Sequence, residues 1–148
     1  MIINKDITLA TEPYILHQVN CQNVMGSGVA KALATKWSKV KHQYHRYCIE
    51  TLSSGKTNKD LLGAFDIVNV SENTNVINCY TQFTFGRTGL HTDYDVIRKV
   101  FNEINNSLNK PKVAIPYLYG CGLGGGDWKV VLSIIEDIFG DNAMLYKL

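Results

Sequence analysis

From Ala114 to Trp128 the chain reads A-I-P-Y-L-Y-G-C-G-L-G-G-G-D-W, and the fold turns on this stretch. A short apolar run feeds a loop with five glycines in the seven positions from Gly120 to Gly126, and an amphipathic segment opens at Asp127. The pattern is strand, glycine loop, helix start. A backbone with so little side-chain bulk lets N–H groups approach a ligand closely and point at negative charge. Two readings of the loop stand at this point: a phosphate cradle, or a turn rich in left-handed residues that only reverses the chain.

The same arrangement occurs once more, upstream. Tyr14 to Asn20 predicts a strand whose start is fixed by Pro13, and Cys21-Gln22-Asn23-Val24-Met25-Gly26-Ser27-Gly28 follows as a polar, then glycine-bearing loop. It opens into a helix with Val29, Ala30, Leu33, Ala34 and Trp37 on one face. The first N–H groups of such a helix lack intrahelical partners, and its dipole favours an anion there.

Between and around these two loops, Met1–Thr8 predicts a short strand and Val40–Leu52 a helix ended by Ser53-Ser54-Gly55. Leu62–Val70 and Asn75–Thr81 predict two strands joined by a turn at Ser71-Glu72-Asn73-Thr74. Gln82–His91 is a loop with Gly86 and Gly89 around Arg87. Thr92 is the expected N-cap of a helix with core face Val96, Ile97, Val100, Phe101, Ile104 and Leu108. Lys112–Tyr117, Asp127–Phe139 and Ala143–Leu148 complete the order as strand, helix and strand. No repeat or linker divides residues 1–148, so one α/β domain is expected. Its sheet should be mixed, parallel at its centre and covered by helices on both faces, with ligands at the carboxyl ends of the strands.

Composition narrows the function classes. A formal charge of +2, 19% charged and 45% hydrophobic residues give neither the signature of disorder nor a strong field for nucleic acid. The basic bias from Lys31 to Arg46 is interleaved with Val40 and Tyr44 at helical spacing, as on the wet face of a packed helix. Cys21, Cys48, Cys79 and Cys121 form no C-x-x-C pair, and no apolar leader opens the chain; a reduced, cytoplasmic protein without membrane contact is expected. His42 and His45 have no further ligand nearby in sequence, so neither metal nor cofactor is expected.

Three phosphate motifs fail on context. Gly120, Gly122 and Gly125 satisfy G-x-G-x-x-G, but the chain ends just after the next strand, without the acidic residue that would hold a ribose. No Lys-Ser or Lys-Thr follows the glycines, which excludes a Walker loop. Cys121 has no arginine beside it to help a phosphatase loop and reads as a small packing residue. Two glycine loops, each at a helix start, suggest two linked anionic groups, as in a diphosphate.

The runs H-Q-V-N-C-Q-N-V-M-G-S-G-V-A, T-Q-F-T-F-G-R, I-P-Y-L-Y-G-C-G-L-G-G-G-D-W and L-Y-K-L together resemble a macrodomain over essentially the whole chain. The resemblance is to the branch with the yeast ADP-ribose-1''-phosphate phosphatase, the terminal ADP-ribose protein glycohydrolase and short phage and bacterial proteins. It implies a three-layer α/β/α macrodomain with a six-stranded sheet that binds ADP-ribose. By that resemblance Asp6 and Ile7 meet the adenine, with Tyr146 near its face, and Val19 and Asn20 line the floor by the distal ribose. Met25, Gly26, Ser27, Gly28, Val29 and Ala30 surround the diphosphate and distal ribose. Gly120, Cys121, Gly122, Leu123, Gly124, Gly125, Gly126 and Asp127 lie over the phosphates.

Gln82 stands where the glycohydrolase branch carries a lysine nucleophile, and Gly124 where it carries an aspartate. His17 matches a histidine of the phosphatase branch. The activity implied first is therefore ADP-ribose-1''-phosphate phosphatase, with His17 or Asp127 managing protons. The alternatives are a hydrolase removing ADP-ribose from protein or nucleic acid, and a non-catalytic ADP-ribose reader. From the residues alone, His17 reads equally as a half-buried strand histidine, and Asp127 as the N-cap of the last helix.

Overall fold

The computed structural model describes residues 1–148. Its six strands are β1 (Ile2–Ile3), β2 (Tyr14–Asn20), β3 (Phe65–Ser71), β4 (Thr74–Gln82), β5 (Val113–Pro116) and β6 (Ala143–Tyr146); its four α-helices are α1 (Gly28–Lys36), α2 (Ser38–Ser53), α3 (Tyr94–Ser107) and α4 (Trp128–Phe139). The strands lie in the order β1-β6-β5-β2-β4-β3. Every neighbouring pair is parallel except β3 with β4, a hairpin closed at Ser71–Thr74.

Period-2 alternation builds the three layers. Leu16, Ile77, Cys79, Val113, Ile115 and Leu145 point to one side, against Ile97, Val100, Phe101 and Ile104 of α3 and Val131, Ile134, Ile135 and Phe139 of α4. Ile15, Val19, Val76, Tyr80, Ala114 and Tyr146 point to the other, against Leu33 of α1 and Val40, Tyr44 and Cys48 of α2. The sheet is thus apolar on both faces, as the mixed α/β/α reading requires. None of the helices is long and apolar enough to cross a membrane.

Two local readings need correction. The expected N-terminal strand is cut to Ile2–Ile3, because the Asp6 carboxylate accepts from the Thr8 N–H at 2.9 Å and starts a 3₁₀ turn over Ile7–Leu9. Helix α3 is capped by Asp93, whose carboxylate accepts from the Val96 N–H at 3.1 Å, and not by Thr92, whose hydroxyl donates instead to the Gly120 carbonyl at 2.6 Å.

One buried polar group carries a stability prediction. Asp66 of β3 is buried, and neither of its carboxylate oxygens has a hydrogen-bond partner, nor does the buried Tyr80 hydroxyl. Burial raises the Asp66 carboxyl to about 7, against weaker lowering by the polar groups of Asn78, Tyr80 and Gln43. The unfolded chain loses this proton near 3.8, whereas the folded chain keeps it to about 7, so stability falls as pH rises through that window. Asp66→Asn is expected to gain roughly 2–4 kcal/mol over the parent near pH 8.5 and almost nothing near pH 4, read from urea unfolding midpoints. Parallel profiles for the two proteins would refute this.

Candidate functional site

Strand β2 lies between β4 and β5, and all three run in the same direction, so their C-terminal ends release three loops on one edge of the sheet. They enclose a cleft of about 570 Å³. Its wall combines Val24 to Ala30 from the first glycine loop, Pro116 to Gly120 and Gly122 to Gly124 from the second, and Gln82, Phe85, Gly86 and Arg87 from the loop after β4. The floor is His17, Gln18, Val19 and Asn20.

The first loop is held from beneath. Asn20 donates its amide to the Val24 carbonyl at 2.8 Å and accepts from the Gln22 N–H at 2.9 Å, while the Tyr44 hydroxyl of α2 lies 2.8 Å from the Asn20 carbonyl and accepts from the Val24 N–H at 3.1 Å. Asn23 adopts a φ of 60°, a conformation asparagine tolerates, and its side chain meets His45. Ser27 occupies the N-cap of α1 without a side-chain hydrogen bond to it. The N–H groups of Gly28, Val29 and Ala30 have no partner within the protein, and all three residues line the cleft.

The second loop is shaped by positive φ at Leu118, Gly120 and Gly125 and by the internal bonds Cys121 N–H to Leu118 O, Gly125 N–H to Gly122 O and Gly126 N–H to Gly120 O. The N–H groups of Gly122, Leu123 and Gly124 are left without a protein partner on the cleft wall. Behind them runs a side-chain network. Gln18 donates to Gln82 Oε1 at 2.8 Å and to Thr92 Oγ1 at 3.0 Å, and its own Oε1 accepts from the Thr81 hydroxyl at 2.7 Å. Gln82 in turn donates to the Thr84 carbonyl at 2.6 Å, so both ends of its amide are engaged. A Cβ on Gly124 would lie 2.4 Å from Thr92 Oγ1 and 2.6 Å from the Gly120 carbonyl, which leaves no room for an aspartate there.

The sequence-expected residues divide. Val19, Asn20, Met25 to Ala30, Gln82, Gly120, Gly122, Leu123 and Gly124 meet in the cleft. Cys121, Gly125 and Gly126 belong to the second loop but not to the wall: the Cys121 thiol turns to the Tyr119 carbonyl at 3.2 Å, and a Cβ on Gly125 or Gly126 would meet backbone of the protein itself. Asp6, Ile7 and Tyr146 also stand off the wall. Asp6 holds its own turn, Ile7 is core, and the Tyr146 hydroxyl of β6 donates to Glu12 at 2.6 Å. Asp127 is likewise outside the wall; its carboxylate accepts from the Lys129 N–H at 3.0 Å as the cap of α4, the simpler of its two readings.

His17 is on the floor and 1% exposed. Its Nε2 lies 2.6 Å from Asn78 Oδ1 and so carries the proton; Nδ1 is buried with no partner. Burial lowers the imidazole to about 4, opposed only by the Asn78 bond, so the ring is neutral at physiological pH and offers a lone pair rather than a proton. Gln18, Phe85, Arg87 and Tyr117 belong to the wall without having been expected there. All four lie in the runs H-Q-V-N, T-Q-F-T-F-G-R and I-P-Y-L-Y quoted above, but no spacing within those runs singled them out.

No family model matches the sequence. A 17.5 kDa uncharacterised protein from the tk-vs intergenic region of Enterobacteria phage T4 is 26% identical over 126 residues, covering 82% of this chain and 77% of its own. Among solved structures, a macrodomain protein from Streptomyces coelicolor superposes with a TM-score of 0.78 at 19% identity, covering 99% of this chain and 97% of its own. The macrodomain of Mycobacterium tuberculosis DarG gives 0.74 at 22%, covering 100% and 98%. Thermosipho africanus DarTG in complex with ADP-ribose gives 0.74 at 18%, over 98% of this chain and 40% of that one.

Proposed function

The chain has the macrodomain fold, and we propose that its cleft binds ADP-ribose and that the protein hydrolyses ADP-ribose-1''-phosphate. The observation that carries the reading is the pair of glycine loops offering unpartnered N–H groups to one cleft, Gly28 to Ala30 from one side and Gly122 to Gly124 from the other. Two donor sets facing each other suit a diphosphate, which brings two anionic groups on one bridge. The solved DarTG complex shows ADP-ribose bound to a protein sharing this fold.

In the proposed reaction water attacks the terminal phosphorus, the bond from phosphorus to the ribose oxygen breaks, and ADP-ribose and inorganic phosphate leave. Loop N–H groups stabilise the charge that develops on the phosphoryl oxygens. His17, on the cleft floor with its Nδ1 unpartnered, takes the proton of the attacking water and passes it to solvent, from which the departing ribose oxygen takes its own. Asp127 keeps the N-terminus of α4 in place. A lysine adduct has no support, since Gln82 holds the lysine position with its amide engaged at both ends.

The test is a substrate panel of ADP-ribose-1''-phosphate, ADP-ribosylated protein and ADP-ribosylated DNA. Phosphate release from the first is expected, with the part of the kcat/KM loss that depends on His17 confined to a pH below about 4, where the free protein's imidazole takes up a proton. Release of ADP-ribose from protein or DNA instead would make the chain a glycohydrolase. Affinity without turnover on all three would make it a reader.

A further inference from the structure

Of the 23 residues on the cleft wall, none is acidic, His17 is neutral, and Arg87 alone carries a formal charge. Its guanidinium is uncommitted: the three ion pairs of the chain use Arg46, Arg98 and Lys99, and no hydrogen bond within the protein involves the Arg87 side chain. Lys147, after β6, sits 4.7 Å over the ring of the wall residue Tyr117, with β5 and β2 between it and the loop that carries Arg87.

The loop that carries Arg87 is tied to both glycine loops. The Phe83 carbonyl accepts from the Cys21 N–H at 3.0 Å and from the Gln22 side chain at 3.0 Å. At its other end, His91 and Thr92 donate their N–H groups to the Gly124 carbonyl at 2.8 and 3.0 Å. Within it, His91 Nε2 meets the Thr88 carbonyl at 2.8 Å. Arg87 is thus an exposed cation on a braced segment at the β4 side of the cleft. The β6 side, with Tyr146, is at the opposite end of the β6-β5-β2-β4 row.

That placement orders a linear ligand. With a diphosphate between the loops of β2 and β5, one end of the nucleotide extends toward β6 and the other toward β4. If the adenosine takes the β6 side, the distal ribose and whatever it carries reach the only charge on the wall. A guanidinium pairs with a phosphate monoester through two parallel N–H···O bonds, and it gains much less from a neutral hydroxyl.

Building on the ADP-ribose reading, we propose that Arg87 is the specificity-determining residue of the cleft, recognising a phosphate monoester on the distal ribose. It selects the phosphorylated nucleotide over free ADP-ribose, and so substrate over product.

The test compares affinities for ADP-ribose and ADP-ribose-1''-phosphate by stopped-flow displacement of a fluorescent ADP-ribose analogue, in the parent protein, Arg87→Gln and Arg87→Lys. The parent is expected to prefer the phosphorylated nucleotide by about 10-fold or more, the scale of a charge-assisted hydrogen bond. That preference should collapse in Arg87→Gln, survive in part in Arg87→Lys, and shrink as salt is raised. An unchanged preference in Arg87→Gln overturns the assignment, as does a parallel loss of both affinities, which would put Arg87 on the diphosphate. A parent that binds neither nucleotide overturns the ADP-ribose reading itself, an outcome separate from either result for the variants.

Discussion

Gly28→Glu is expected to weaken ADP-ribose binding by at least about 100-fold while the protein stays folded, because it places a carboxylate where phosphate should lie. A Cβ built on Gly28 has nothing within 4 Å, so a side chain there projects into open cleft rather than into the protein. The new carboxylate would sit beside the free N–H groups of Gly28, Val29 and Ala30, taking up the donors a phosphate needs and repelling the diphosphate. The φ of 59° costs a side chain about 1–2 kcal/mol, which a domain of this size survives. Gly28→Ala pays that backbone cost without the charge and separates the two effects. Full affinity in a folded Gly28→Glu protein would reduce the first loop to a turn.

Gly125→Ala should fail in the opposite way, by losing the fold. Its φ is 73°, and the added Cβ would lie 2.1 Å from the Gly89 carbonyl oxygen and 3.3 Å from the Leu90 Cα, both backbone atoms that cannot rotate aside. Left-handed strain and overpacking together are expected to cost about 3 kcal/mol or more, measured by urea unfolding. The damage should spread, because Gly89 lies in the loop that anchors to Gly124 through His91 and Thr92. A change within about 0.5 kcal/mol would show that the two loops do not hold each other as described.

These two glycines look alike in the sequence, and their difference marks where sequence reading stops. The strands, the helices and both glycine loops follow from periodicity and turn chemistry, since each apolar stripe needs a layer to cover it. The direction in which a side chain would leave a residue at positive φ is not set by its neighbours in the chain. It depends on what packs across from it, and Gly89 reaches Gly125 from another loop. The network of Gln18, Thr81, Gln82 and Thr92 was hidden for a related reason: its bonds join residues 63 to 74 positions apart, through the pairing of β2 with β4. The absence of aspartate at position 124, visible as a departure from the glycohydrolase pattern, acquires its physical cause only once Thr92 is seen against that backbone.

The same limit applies to the charged residues. Asp127 was recognisable both as a cap and as a catalytic candidate, and the bond it accepts from the Lys129 N–H is the cap, a contact that leaves its second carboxylate oxygen for the other role. Asp66 shares its face of β3 with Val68 and Val70, so the alternation placed it on the buried side, but a charged residue type gave no reason to expect it in the interior.

The most direct measurement is a titration of the purified protein with free ADP-ribose, followed by thermal unfolding and by calorimetry. A ligand that binds only the folded chain adds about 2.7 kcal/mol at 100 times its Kd, so saturating ADP-ribose should raise the unfolding temperature by several degrees. The rise should saturate at one nucleotide per chain and be lost in Gly28→Glu. No shift and no heat at millimolar ADP-ribose would contradict the claim that the two glycine loops form a diphosphate site.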